Sequence, residues 1–324
     1  MSALEKNAAA LDAFLSGSVI ADHSDLEPYI KPEEAAKIRS AEDYVSEIIQ
    51  RMESGQKLIG LPTPWRTLSG KVLFKPHELS VWTGYKGHAK TMVLSQCMCN
   101  GMSFGEKVLV ISPEFRPPTI IERKLRQCSA SEKQSLRFVR QWAEWAGESL
   151  WFYDHQGSVN AKYVLAAIRY AQDKFGITQV VVDSLMKMGI ATSSEGYDKQ
   201  KWFVDSLQSI AHDTGVHIHL VAHARKASSD SEMPGIHDVK GTSEICDMAE
   251  NVYVVWTNKR KLDEIEGGNF KRADEPDVIL KVEAQRNVEW RGSVALWMHR
   301  PSFQFVDHPN NAPQIYLSDD FVEF

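Results

Sequence analysis

Residues 78–94 read ELSVWTGYKGHAKTMVL, and the order of apolar, glycine and hydroxyl residues in this stretch decides the fold. Leu79, Val81 and Trp82 predict a buried strand, and Thr91 to Met98 predict the start of a helix. Between them, GYKGHAKT sets Gly84, Gly87, Lys90 and Thr91 at the spacing of the phosphate loop GxxxxGK[ST], with Tyr85, Lys86, His88, Ala89 and Met92 completing its lining. A loop with little side-chain bulk can turn its N–H groups onto phosphates, and the helix N-terminus adds its partial positive charge. Lys90 would then reach the β- and γ-phosphates of ATP or another NTP or dNTP, and the Thr91 hydroxyl would bind Mg²⁺. Ala89 stands where the motif has its second glycine. A methyl group there predicts a backbone that is not at positive φ.

Outward from this stretch, the chain is that of a globular protein: 324 residues, 43% hydrophobic and 25% charged. Its net charge of -6 excludes a protein that coats nucleic acid with its whole surface, while leaving room for a local groove lined by a few lysines. No apolar run approaches the roughly 20 residues that span a bilayer, and Leu11 to Ile20 is too short and mixed for a signal peptide. Cys97, Cys99, Cys128 and Cys246 form no CxxC pair, which predicts buried thiols in a reducing compartment. These features predict a soluble, cytoplasmic protein.

Residues 41–53 carry Tyr44, Val45, Ile48, Ile49 and Met52 at helical spacing, with Ser40 as N-cap and breakers at Gly55, Pro62 and Pro64 beyond. From Leu61 onward apolar strands alternate with helical segments: strands near 108–111, 150–153, 180–183 and 217–222, helices near 117–128, 131–146, 161–175 and 197–214. This pattern predicts an α/β fold with a mainly parallel sheet between helices, and ligands at the carboxyl ends of its strands. Residues 251–256, 278–283 and 293–298 predict a β-rich extension. The polar stretch 258–277 between the first two predicts an exposed hairpin or loop.

Three strand ends could supply the rest of a phosphoryl-transfer site. Asp183 closes QVVVD, where a carboxylate can hold Mg²⁺ directly or through water. Glu114 closes VLVISPE, on the strand expected beside the phosphate loop, and is the candidate to orient and deprotonate water. His223 closes IHLVAH and could hydrogen-bond a γ-phosphate.

The ordered set GYKGHAKT, ISPEF, QVVVDSL, LVAHARK, DVKGTSEICDMAENVYVVW and AQRNVEWRGSVALWM resembles the motor domain of hexameric replicative DNA helicases. These form the DnaB-like, Twinkle and phage primase-helicase group of the RecA-like P-loop ATPases. The likeness spans roughly residues 60–306. It implies Glu114 as catalytic glutamate, Asp183 as Walker B aspartate and His223 as the polar sensor. It also implies Lys240, Gly241, Thr242 and Ser243 as a loop holding single-stranded DNA, and Arg286 as an arginine finger reaching the next subunit's nucleotide from a chain that offers it no partner of its own. The family's usual Lys-x-Arg is here Ala284, Gln285, Arg286, and Lys281 is the cation left to compensate.

A short arm at 1–59 with a linker helix, a motor at 60–306 and an acidic tail at 307–324 follow from the same resemblance. So do a homo-oligomeric, hexameric ring and docking of a primase, polymerase or single-strand-binding protein on the tail SDDFVEF. The expected activity is ATP-dependent translocation on single-stranded DNA in phage- or prophage-type replication. The alternatives are a RecA-like recombination or repair ATPase, or a nucleotide-binding helicase regulator without turnover.

Overall fold

The computed structural model describes residues 40–53, 60–190, 194–225, 232–241 and 244–318. The chain divides into two units, Met1–Leu58 and Ile59–Phe324. In the first, helix α1 (Glu42–Glu53) carries Val45, Ile48, Ile49 and Met52 on one stripe, all of them exposed.

The second unit is built on a sheet of nine strands in the order β11-β10-β9-β8-β3-β7-β6-β4-β5. Its parallel part comprises β3 (Leu79–Thr83), β4 (Val108–Ile111), β5 (Leu150–Tyr153), β6 (Gln179–Asp183), β7 (His217–Val221) and β8 (Asn251–Thr257). In β3, β4, β6 and β7 every residue is buried, as parallel strands covered on both faces require. Alternation along each strand divides the core in two. Trp82, Val108, Val110 and Val181 pack with helices α2 (Lys90–Ser103), α3 (Pro117–Ser129) and α4 (Leu136–Gly147). Val81, Leu109, Val180 and Val182 pack with α5 (Ala161–Phe175) and α6 (Ser194–Thr214) on the opposite face. A five-residue helix, α7 (Glu244–Met248), precedes β8.

The β-rich extension is antiparallel: β9 (Val278–Gln285), β10 (Gly292–His299) and a short β11 (Gln304–Val306). Two pieces were not foreseen, β11 and a small hairpin of β1 (Leu61–Pro62) with β2 (Leu73–Phe74). The stretch 258–277 also departs from expectation, because it contains helix α8 (Lys259–Glu266). Asn258 caps it by accepting from Lys261 N, and the buried Lys261 ammonium pairs with Asp277 at 2.9 Å. This clip ties β8 to β9, so a mostly polar sequence forms a helix through its one buried lysine. Helix α4 begins only at Leu136, where Ser135 accepts from Phe138 N at 3.0 Å, and residues 131–135 are a turn.

The strand order corrects one expectation that bears on the site. β4 pairs with β5 and β6, and both β6 and β7 lie between it and β3, so Glu114 does not end a strand next to the phosphate loop. Its proximity to the site must come from the loop that follows the strand.

Candidate functional site

The phosphate loop leaves β3 through Gly84, whose φ is +142° and where any Cβ would stand 2.2 Å from the Val255 carbonyl oxygen. Only glycine fits there. Gly87 is also at positive φ, and Ala89 adopts the left-handed region at φ 58°, ψ 10°, contrary to the conformation its methyl group predicted. That geometry costs a non-glycine residue on the order of 1 kcal/mol. Ala89 at the N-cap has no side chain to cap α2, so the N–H groups of its first turn face the loop, which is the arrangement that binds phosphate. His88 is fully buried and accepts from Thr257 N at 3.1 Å, which ties the loop to β8. Tyr85 packs edge-on against His88, Met92 lies partly buried against the core, and Lys86 and Gly87 are exposed.

Lys90 is buried and donates to the carbonyls of Gly84 and Tyr85, each at 2.8 Å. Burial pulls its pKa down to about 8, although Asp183 and Glu114 act to raise it. Thr91 donates its hydroxyl to Asp183 at 2.6 Å. Burial pushes the Asp183 carboxyl up, and the Thr91 hydrogen bond opposes that shift. Hard oxygens on a strand end and a helix N-terminus suit Mg²⁺, which takes a few protein ligands and completes its shell with phosphate and water. Among the described residues no group of three or more His, Cys, Asp or Glu comes together as a metal site.

The loop after β4 carries Glu114 back across the strand ends. Its carboxylate accepts from Ser184 Oγ at 3.0 Å, and His223 Nε2 lies 3.8 Å away, within ion-pair range but too far for a direct hydrogen bond. The His223 imidazole, the Ser184 hydroxyl and the Lys187 charge hold Glu114 down at about 2 against the opposing effect of burial. Ser184 escaped the sequence reading, although it follows Asp183 directly. Lys90, Thr91, Asp183, Glu114 and His223 thus meet at the carboxyl ends of β3, β6, β4 and β7.

A backbone ladder leads away from this cluster. Ala224 N donates to Gly84 O at 3.0 Å, and Lys240 N donates to His223 O at 2.7 Å. Arg225, also missed in the sequence, donates from its backbone to Asp238 O and from its guanidinium to Gly241 O at 3.1 Å. Gly241 sits at φ +125°, where a Cβ would meet Gln200. The resulting cleft is lined by Tyr85, Lys86, Glu114, His223, Arg225 and Lys240, among others, so three cations flank the phosphate loop. Thr242 and Ser243 lie outside the described residues.

Arg286 is not part of this cluster. It follows β9, whose Gln285 stands opposite Asn251, itself paired with Ser80 at the start of β3. That is roughly 13 Å along the sheet from Gly84, at about 3.3 Å per residue. Contrary to expectation it has partners within its own chain, Asp247 O at 2.7 Å and the Glu250 carboxylate at 3.4 Å, though its side chain stays half exposed. Lys281 does not take its place, because it pairs with Glu283 at 2.7 Å. Residues 316–318 lie beside α3 and α4, with Tyr316 N donating to Cys128 O and Gln141 Nε2 to Ser318 O, while Asp307 and Gln314 bond to Thr67 and Pro64. The remainder of the tail, 319–324, lies outside the described residues.

This arrangement is that of a P-loop NTPase. The chain is similar in fold to a solved structure described as an "ATPase Domain", with 15% identity and a TM-score of 0.67 over 83% of this chain and 99% of that one. It is likewise similar to one described as "The Structure Of A DnaB-Like Replicative Helicase And Its Interactions With Primase", with 14% identity and a TM-score of 0.64 over 93% of this chain and 76% of that one. At these identities the likeness is one of fold, the RecA-like arrangement of a mainly parallel sheet between helices. The family model described as "AAA domain" matches residues 50–229, more than half of the chain. Phosphate loop, Walker-type carboxylates, strand order and family match therefore agree, and the chain belongs to the AAA domain family.

Proposed function

We propose that this protein is an ATP-driven, ring-forming helicase or translocase on single-stranded DNA that acts in phage- or prophage-type replication in the cytoplasm. The observation that carries this reading is the ladder from the phosphate loop to Lys240 through Ala224 and His223, which joins a nucleotide site to a cation-bearing loop.

ATP would lie over the phosphate loop, with Lys90 leaving the Gly84 and Tyr85 carbonyls for the β- and γ-phosphates. Thr91 and Asp183 would hold Mg²⁺, which when bound neutralises charge on the β- and γ-oxygens. Water attacks the γ-phosphorus in line as the bond to the β,γ-bridging oxygen breaks. Glu114 is held ionised near pKa 2, so its main task is to accept a hydrogen bond from that water and aim it; the proton passes late to an oxygen of the released phosphate, as a loose transition state allows. His223, beside Glu114 and bonded through its carbonyl to Lys240, would pass the γ-phosphate state to the DNA loop formed by Lys240, Gly241, Thr242 and Ser243. Lys240 with close backbone and hydroxyl donors grips phosphates without reading bases.

Arg286 lies far from its own chain's phosphate loop and half exposed, which supports a role across a subunit boundary once it leaves Glu250. In the same reading residues 1–59 are an arm whose α1 docks within a hexamer, 60–306 the motor, and 307–324 a tail for primase, polymerase or single-strand-binding protein. The rival reading, a nucleotide-binding regulator without turnover, draws on the strained Ala89 and on the tie between Arg286 and Glu250.

Unwinding of a forked duplex tests the proposal. Wild type should unwind it, Lys90→Ala and Arg286→Ala should not, and mixing the two variants should restore part of the activity by rebuilding intact sites between unlike subunits. Unwinding that survives Lys90→Ala, or its absence from wild type, would overturn the reading.

A further inference from the structure

Behind the Thr91–Asp183 pair, a cavity of about 30 Å³ lies between α2, α3 and the ends of β4 and β6. That is room for roughly two waters. Met98, Val110, Ile120 and Val181 line one part, and Ser112, Arg123 and Lys124 another. No step of the proposed mechanism uses these polar groups, and they are poorly satisfied.

Lys124 is 1% exposed, and among the described residues its ammonium meets only the Ser95 carbonyl at 3.5 Å and the Cys99 thiol at 3.9 Å. Neither is a carboxylate, and both contacts are long. Ser112, 6% exposed, has a hydroxyl buried without a hydrogen-bond partner among the described residues. Arg123 lays its guanidinium over the Phe115 ring at 4.7 Å. The one carboxylate among the described residues at the wall, Asp183, already accepts from Thr91. The space opens partly to solvent past Thr91, Met92 and Arg123, but Lys124 and Ser112 lie at its buried end, and a buried ammonium is stable only beside an anion or several good acceptors. An anion in the cavity would supply such a partner.

We propose that this cavity binds a small inorganic anion, held by the Lys124 ammonium and the Ser112 hydroxyl directly behind the Thr91–Asp183 pair. A halide fits the space as it stands. Inorganic phosphate leaving the nucleotide site would fit after a rotamer change of Met92 or Met98, whose unbranched chains adapt easily. The rival source of charge is Cys99: burial pushes its thiol up, but Cys128 and the Lys124 charge bring it down to about 7. The inference does not depend on the helicase reading.

Crystals of the full chain soaked in bromide would locate the anion by anomalous scattering. In parallel, thermal denaturation with gluconate exchanged for bromide or for phosphate, at constant ionic strength, would be followed for wild type, Lys124→Met and Ser112→Ala. The expected results are an anomalous peak in the cavity and a rise of about 3 °C in wild type once the anion is tenfold above its dissociation constant, lost in both variants. A rise with phosphate and not with bromide would keep the site and name the reaction product as its occupant. The proposal is overturned if no anion stabilises wild type, or if the variants respond as wild type does. Ultraviolet thiolate absorbance that disappears in Lys124→Met would in that case assign the counter-charge to Cys99.

Discussion

The two ends of the central sheet both bury polar groups, and they treat them in opposite ways. At the amino end the carboxylates and histidines are matched. Glu78 accepts from Asn251 and Asn287, Glu250 from Leu79 N and Gln208, and the two core histidines each carry two partners. His217 donates Nδ1–H to Lys75 O and accepts from Ser80 Oγ, while His219 accepts from the Trp82 indole and donates to Gln179. Both rings are thereby fixed as neutral tautomers. At the carboxyl end Lys90 is shifted down, Asp183 up and Glu114 down, and the backbone strains at Ala89. Saturated polar groups hold a structure together. Perturbed ones with capacity to spare are what a reaction site needs.

The largest effect should come from Asp183→Asn, which removes a Mg²⁺ ligand. ATP hydrolysis should fall on the order of 10³-fold while the melting temperature holds or rises, because a strained buried charge has gone. Nucleotide turnover and calorimetry on the same sample separate the two outcomes. A lower melting temperature would place Asp183 with the amino-end groups.

Next in size is an acid effect from the histidines. Burial lowers His217 from 6.5 to about 4 and pushes His219 down as well, so the folded state binds fewer protons than the unfolded chain between 6.5 and about 4. Their contribution is complete above pH 6.5 and is lost as pH falls from there toward 4, on the order of 3 kcal/mol for His217. Urea melts across this range should show the decline, and His217→Gln should flatten it. Glu78→Ala, which leaves the buried Asn251 amide with Ser80 as its one remaining acceptor and frees the exposed Asn287, should cost about 1 kcal/mol in the same melts and leave turnover per folded molecule unchanged. The smallest change is Ala89→Gly, which should stabilise by roughly 1 kcal/mol by relieving the positive φ. Destabilisation there would mean that the strain is offset by the methyl group's packing.

Much of this arrangement is legible in the residues, and what is hidden has identifiable causes. Parallel strands covered on both faces read as unbroken apolar runs, so VLVI and QVVVD announce themselves and point to Glu114 and Asp183 at or just beyond their ends. The order of those strands is not written in any one of them. The apolar runs alone set Glu114 beside the phosphate loop, whereas β4 lies beyond β6 and β7 and its following loop brings Glu114 to Ser184 and His223. Helix α8 was concealed because its only buried residue is a lysine, neutralised by Asp277 far along the chain. The partner of Arg286, Glu250, is likewise distant in sequence. Ala89 misleads for a different reason, since the turn between Gly84 and α2 fixes φ there whatever residue is present.

The central claim joins nucleotide turnover to single-stranded DNA, and the most direct test is the rate of ATP hydrolysis with and without that DNA, with Glu114→Gln as the blank. The account predicts turnover in wild type that DNA raises about tenfold or more and that Glu114→Gln abolishes in both conditions. ATP bound without turnover, or a rate indifferent to DNA, would contradict it.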